Sequence, residues 1–474
     1  MTQAISPRPI RRLFVANRGE IAVRVVRACR SLGIEVVAGV SEADQDSMAA
    51  RDADAFEIIG PAPAGESYLR IERVIAAAAR AGCDALHPGY GFLSERAAFA
   101  KACAEAGLTF VGPSPIAIEQ MGDKITAVQL AAAAGVPRVP GSAALGSLEE
   151  ATTLAAGIGY PVLLKATAGG GGRGMRIVRE PPELAAAMES AANEAKGAFG
   201  DGTLYLEKFI EHARHIEIQV MGDSLGTVVH LGERDCSTQR RHQKLIEESP
   251  SPAITAAMRE EMGRSAVQLA RNVGYVGAGT VEFVLDDTSG RFYFLEMNTR
   301  IQVEHPVTEC VTGFDLVAEQ IRVAQGLPLS FQQSDVKLRG HAIECRINAE
   351  DANKNFLPKP GTITAWDAPQ GEGVRLDTHC FAGYTVPPFY DSLLGKLIVH
   401  GSSRADAMAR MRSALDGLRI VGIPSTAPFH REVLDEPDFI EGRVTTRWVE
   451  QTFLPERKAR LKAAAEAAKA ALAA

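Results

Sequence analysis

Apolar and polar residues alternate along Gly279–Glu309, GTVEFVLDDTSGRFYFLEMNTRIQVEHPVTE. Two apolar-rich runs joined by Asp286-Asp287-Thr288-Ser289-Gly290 predict a β-hairpin. Folding about that turn sets Glu282 roughly opposite Glu296, a pairing that repels unless a cation lies between the carboxylates. Past Glu296 the polar positions keep period two, at Asn298, Arg300, Gln302 and Glu304. If the chain stays extended, one face presents three carboxylates, two carboxamides and a guanidinium. Hard oxygen ligands of this kind suit Mg²⁺ or Mn²⁺, with substrate phosphates filling the remaining positions. A half-buried strand with a wetted face would show the same alternation.

Upstream the pattern changes period. LFVAN, the turn RGE and the helical IAVRVVRACRSLG are followed by the strand IEVVAGV and a helix. The strand-like DALHPGYGF, a helix closed by Gly107 and the strand LTFVG come next. Strands alternating with helices predict a parallel, Rossmann-like sheet over about residues 1–120. Its first turn carries no dinucleotide fingerprint. A second unit starts near Gln120: a helix ending at Gly135, the connector VPRVPG, then the strand PVLLKA, the loop ATAGGGGRG and the strand MRIV. Gly169, Gly171 and Gly174 satisfy G-x-G-x-x-G, but a strand follows where the dinucleotide motif requires a helix. Between two strands such a loop reads as a flap whose N–H groups can approach phosphates, with Lys165 adding a cation. TLYLEKFI and ARHIEIQVMGD are further strands, and Arg240, Arg241, His242 and Lys244 form a short basic patch suited to a compact anion. In the last region HAIECRIN and proline-rich turns predict an antiparallel sheet, and KARLKAAAEAAKAALAA a largely exposed helical tail.

Composition narrows the class. A chain of 474 residues exceeds a single core, and 46% hydrophobic with 23% charged residues is ordinary for a soluble globular protein. A net charge of −7 gives no reason to expect nucleic acid or an anionic membrane as partner. No apolar run approaches the roughly 20 residues that span a bilayer, and the N-terminus lacks a secretory apolar core. Seven cysteines, an odd number without a C-x-x-C pair, fit free thiols in a reduced cytoplasmic setting.

NRGEIAVRVVRAC, HPGYGFLSE, MGDK, KATAGGGGRGM, GERDCSTQRRHQK, EMNTRIQVEHPVTE and ECRINAED follow one another between about Arg11 and Arg447. Together they resemble the biotin carboxylase component of biotin-dependent carboxylases. The resemblance implies an α/β and α+β chain of ATP-grasp architecture. A Rossmann-like domain is expected over 1–120 and an ATP-grasp domain over 121–335, with a mobile lid at about 138–210. A mainly β C-terminal domain would cover 336–452, with the Ala-rich tail at 453–474. Roles follow from the same resemblance. ATP would contact Lys124, Lys165, Gly171, Gly172, Glu207, Lys208, Phe209, Ile210, His215, Gln239, His242, Glu282 and Glu296. The metal would be held by Glu282, Glu296 and Asn298. Bicarbonate would meet Lys244, Arg300, Gln302, Val303 and Glu304, and biotin would meet Arg300 and Arg346. Two departures from the family pattern, Asp351-Ala352-Asn353 and Lys359, touch none of these residues.

The reaction so implied is ATP- and bicarbonate-dependent carboxylation of biotin through carboxyphosphate, with Lys244, Arg300 and Glu304 as catalytic groups. None of the eleven methionines precedes a lysine, so the chain lacks the usual A-M-K-M biotinylation setting. It is expected to act on a separate biotin carboxyl carrier protein, beside carboxyltransferase subunits and as a homodimer. Acetyl-CoA carboxylase in fatty acid synthesis is the first expectation; propionyl-CoA, pyruvate and 2-oxoacid systems are alternatives. The competing classes are another ATP-grasp ligase and a nucleotide-binding protein that regulates its partners.

Overall fold

The computed structural model describes residues 7–167 and 175–473. Arg12–Val15 (β1), Glu35–Ser41 (β2), Ala55–Gly60 (β3), Ala85–His87 (β4) and Thr109–Phe110 (β5) form a parallel sheet in the order β3-β2-β1-β4-β5. Leu13, Phe14 and Val15 are completely buried, as expected of a central strand covered on both faces. The sequence pattern misses β3, an edge strand whose Phe56 and Ile58 face solvent while Glu57 between them is half-buried.

Two compact units make up the chain, one of residues 1–136, 214–284 and 295–474, the other of 137–213 and 285–294. The smaller holds a three-stranded sheet of Val162–Ala166 (β6), Arg176–Val178 (β7) and Leu204–Lys208 (β8), in the order β7-β6-β8. Val162, Leu164, Val178 and Leu206 pack there on Ala151 and Ala155 of the helix Leu148–Ile158. Small alanines on that helix face let it lie close to the sheet.

Ala213–Gly222 (β9), Val228–Arg240 (β10), Gln243–Ser249 (β11), Gly277–Asp286 (β12), Arg291–Asn298 (β13) and His341–Asn348 (β14) join the strands Leu393–Gly401 and Val374–Thr378. The eight-stranded order is β13-β12-β9-β10-β11-β14, then 393–401, then 374–378. Hydrogen bonding runs without a break from β11 into β14, pairing Glu247 with Glu344 and Ile246 with Cys345. Alternation in β14 behaves as its sequence predicts, with Ile343, Cys345 and Ile347 in the core against Met411 and Phe429. Its other face turns Glu344 and Arg346 towards the site described below. The segment CSTQRRHQK divides between strand and turn: β10 continues to Arg240, and the hairpin turns at Arg241 and His242, both at positive φ. Arg240 is buried over the Phe356 ring, leaving Arg241 and His242 exposed. All seven cysteines are unpaired, and no helix among the described residues is long and apolar enough to cross a membrane.

Candidate active site

β9 to β12 bring ionised side chains to one face, and Lys244 on β11 is their centre. Its Nζ donates to Glu217 Oε2 at 2.6 Å, Glu282 Oε1 at 2.9 Å and Glu304 Oε1 at 2.6 Å. An ammonium has three N–H donors, so three carboxylates saturate it. Burial would lower the lysine's pKa, yet Glu217 and Glu304 outweigh it and hold the group charged. Arg346 on β14 grips Glu247 Oε1 at 2.6 Å through Nε and reaches Glu304 Oε2 at 3.0 Å. Glu304 therefore gives one oxygen to each cation. Burial opposes its ionisation, but Lys244, then Arg346 and Arg234, keep the carboxyl well below the usual carboxylate range.

Arg234 is the largest fully buried side chain and braces this face from beneath. Its guanidinium donates to Glu217 Oε1, Gln219 Oε1, Thr308 Oγ1, Thr280 Oγ1 and Gln302 Oε1. Gln302, oriented by that contact, passes its own Nε2 to Glu282 Oε1 at 2.7 Å. Asn298 Nδ2 reaches the same oxygen at 3.0 Å, while His215 Nε2 lies 3.0 Å from Glu282 Oε2. Burial would raise the Glu282 carboxyl, but His215 and Lys244 outweigh it and hold it low. Glu296 moves the other way, raised by loss of water around it and then by the Glu282 charge, with His215 and Lys124 opposing. The two hairpin carboxylates thus stand close enough to repel. Ligand atoms of His215, Glu217 and Glu282 also lie within 4.8 Å of one another. A hard divalent cation taking oxygens from both Glu282 and Glu296 would relieve the repulsion.

The extended face expected from Glu296 to Glu304 ends early. β13 stops at Asn298, and residues 299–304 form a loop in which Thr299, Ile301, Gln302 and Glu304 are all buried. Side chains distant in sequence take over the backbone and side-chain bonds that a strand would have supplied. Glu95 Oε1 accepts the Thr299 N–H at 3.0 Å and Glu95 Oε2 accepts Arg300 Nε at 2.9 Å. Arg300 also donates to Asn298 Oδ1 at 3.0 Å, so both ends of that amide are engaged.

The remaining expected residues are scattered by comparison. Lys124 opens the helix Lys124–Ala133, after the capping Asp123. In the smaller unit Lys165 pairs with Glu207 between β6 and β8, and Lys208 Nζ donates to Gly159 O at 2.9 Å and Tyr160 O at 3.0 Å. Phe209 is buried and Ile210 half-buried, just past β8. Gln239 is buried directly across from Lys244, and His242 sits at the exposed turn. Val303 contributes its carbonyl to a buried lysine, Lys396. Gly171 and Gly172 lie outside the described residues. Reading the sequence misses Glu95, Glu217, Arg234 and Glu247. Only Glu217 left a local signal, standing two residues after His215 on a cleanly alternating strand.

A parallel α/β segment leading into an antiparallel sheet that gathers carboxylates, a lysine and arginines on one face is the arrangement of the ATP-grasp class. Within it, residues 9–118 match the model of the biotin carboxylase N-terminal domain and 344–451 that of the biotin carboxylase C-terminal domain. Residues 123–332 match that of the carbamoyl-phosphate synthase L chain ATP binding domain. The biotin carboxylase of Nostoc sp. is 54% identical over 93% of this chain and 98% of its own length. A pyruvate carboxylase component of Methanothermobacter thermautotrophicus is 53% identical over 93% of this chain and 89% of its own. The crystal structure of a biotin carboxylase–β,γ-ATP complex from Campylobacter jejuni superposes with a TM-score of 0.86 at 50% identity, covering 93% and 98% of the two chains. That of the biotin carboxylase domain dimer of Hydrogenobacter thermophilus 2-oxoglutarate carboxylase, with MgADP, ADP and bicarbonate, does so at 0.84 and 50%, covering 93% and 97%. The chain belongs to the biotin carboxylase family.

Proposed function

We propose that this chain carboxylates biotin on a separate carrier protein, using ATP and bicarbonate, as the first half-reaction of an acetyl-CoA carboxylase. The observation that carries the catalytic part is Glu304, ionised and shared between Lys244 and Arg346 on the loop that also carries Arg300 and Gln302. A carboxylate so stabilised is a weak base at rest. Bicarbonate is itself an anion and competes for Lys244 and Arg346; weakening those two contacts returns proton affinity to Glu304. Glu304 then takes the bicarbonate proton, the freed oxygen attacks the γ-phosphorus, and the bond to ADP breaks to leave carboxyphosphate. Its decay gives CO₂ and phosphate; phosphate takes the ureido proton, and the ring nitrogen bonds the carbon of CO₂. Arg300 faces the oxyanion that develops on the ureido group.

Glu282, Glu296 and Asn298 would hold Mg²⁺ or Mn²⁺, which neutralises charge on the phosphoryl group being transferred. Asn298 Oδ1 accepts one hydrogen bond from Arg300, and its second lone pair would serve as the ligand. Lys124, Lys165, Glu207–Ile210, His215, Gln239 and His242 are the proposed nucleotide contacts. The bound ligands of the Campylobacter and Hydrogenobacter proteins support this assignment. The anion-site run Arg300–Glu304 with Arg346 favours a carboxylase over other ATP-grasp ligases.

Relatives named for pyruvate and 2-oxoglutarate carboxylases share the same architecture, so the acyl acceptor is a property of the partner subunits. Acetyl-CoA is proposed on the strength of relatives that stand as biotin carboxylases in their own right. A homodimer and a carboxyltransferase partner belong to the same proposal. Glu304→Gln and Arg300→Ala test the chemistry. Glu304→Gln should lower bicarbonate-dependent ADP release and carboxybiotin formation together, by about 10²–10⁴. Arg300→Ala should lower carboxybiotin formation further than ADP release. Equal loss of both activities in both variants would sink this division of labour.

A further inference from the structure

The loop that carries Arg300 to Glu304 lies between β13 and the helix His305–Thr312, and two of its carbonyls are held by buried side chains. Lys396, fully buried on the strand Leu393–Gly401, donates from Nζ to Val303 O at 2.8 Å. Its ammonium lies 3.1 Å from Glu20 Oε1 at the start of the helix Gly19–Ser31, and Glu20 in turn accepts the Tyr90 hydroxyl. The fully buried His305 donates from Nδ1 to Gln302 O at 2.7 Å. A peptide unit is planar and trans, so its C=O and N–H point in opposite directions. Holding Gln302 O aims the Val303 N–H, and holding Val303 O aims the Glu304 N–H, both away from the buried braces. Neither N–H makes a hydrogen bond among the described residues, although Glu304 is buried, where backbone donors are nearly always paired. Two adjacent free donors of fixed direction, beside Lys244 and Arg346, are suited to an oxyanion.

We infer that Lys396, with Glu20 as its counter-ion, is a positioning residue for the anion site, acting through the Val303 carbonyl to aim the loop's amide donors. The inference rests on the reading that this loop binds bicarbonate. Lys396 touches no reactant; it sets how well the loop accepts the anion.

Lys396→Met alone strands a buried carboxylate and is liable to unfold the protein. Glu20→Gln with Lys396→Met removes both charges. Burial already pushes the Glu20 carboxyl up, with Lys396 pulling against it, so a neutral glutamine is tolerated there once the lysine is gone. Thermal melting and ATP hydrolysis, titrated separately with bicarbonate and with ATP, are measured on the wild type and the double variant. The double variant should melt cooperatively near the wild-type temperature and keep its KM for ATP within about twofold. Its KM for bicarbonate should rise about tenfold or more, the worth of one hydrogen bond to a charged group. An unchanged bicarbonate KM overturns the inference, and so does a double variant that no longer folds, which would make the pair structural. Wild-type hydrolysis that ignores bicarbonate overturns the underlying site reading instead, and the inference with it.

Discussion

Glu344 lies wholly inside the eight-stranded sheet, opposite Glu247 on the neighbouring strand, and among the described residues neither of its oxygens has a hydrogen-bond partner. Burial pushes its carboxyl well above the ordinary 4.5, against the pull of Lys396. Glu247 is pushed by burial to about 7, with Arg346 opposing and Glu304 adding to the rise. The folded protein therefore keeps protons that the unfolded chain has released. That part of the stability is fully present below about 4.5 and is lost as pH rises through the folded values, about 7 for Glu247. Glu344→Gln keeps the shape and removes one of these protons from the linkage. The variant should match the wild type near pH 5 and exceed it at pH 8.5, by about 1–3 kcal/mol if the ionised group is unpaired. Urea melts at the two pH values measure this, and a variant weaker at the higher pH would show that the carboxylate is paired after all. Glu296 is the second residue to probe. Because Glu282 repels it, Glu296→Gln should leave melting without ligand unchanged or slightly higher while shrinking the stabilisation by Mg·ATP. A large loss without ligand would mean that this carboxylate is structural.

At the scale of elements, the sheet is pinned through its polar face as well as its apolar one. Arg234 of β10 binds side chains of β9, β12, the 299–304 loop and the helix His305–Thr312, with no exposed surface. Arg234→Met would leave Glu217 buried with Lys244 as its remaining close cation. The expected cost is about 3–5 kcal/mol, read as a shift of the urea midpoint. A loss below about 1 kcal/mol would mean that the network contributes no more than a surface ion pair. The loop at 299–304 owes its shape to the same kind of remote bonding. With Thr299 N–H on Glu95 and Val303 O on Lys396, the chain has no need of a strand partner there.

Over the whole molecule the C-terminal helix Leu454–Ala473 illustrates how unevenly stability is spread. Arg457 is buried and bridges Glu432 and Asn353, whereas residues 458–469 are exposed. Removing residues 462–474 should hardly move the melting temperature, while Arg457→Ala should lower it clearly. Equal effects would contradict this division. Lacking a lysine after any methionine, the chain should show no covalent biotin on a streptavidin blot; a positive signal would overturn action on a separate carrier.

Local patterning determined the elements and their type. Period two in GTVEFVLDD and RFYFLEMN makes a hairpin, period 3.6 in IAVRVVRAC makes a helix, and the carboxylates of that hairpin fall close enough to repel. Such features depend on neighbours within a turn or across one short loop, and a sequence displays those directly. Tertiary structure decided where β13 stops, that CSTQR of CSTQRRHQK is buried strand while the turn at Arg241 and His242 is exposed, and which cation each carboxylate meets. Glu95 and Arg300 are 205 residues apart, and Lys396 and Val303 are 93. No periodicity reports such pairs, because a buried charge is assigned its partner only when remote segments close around it and exclude water.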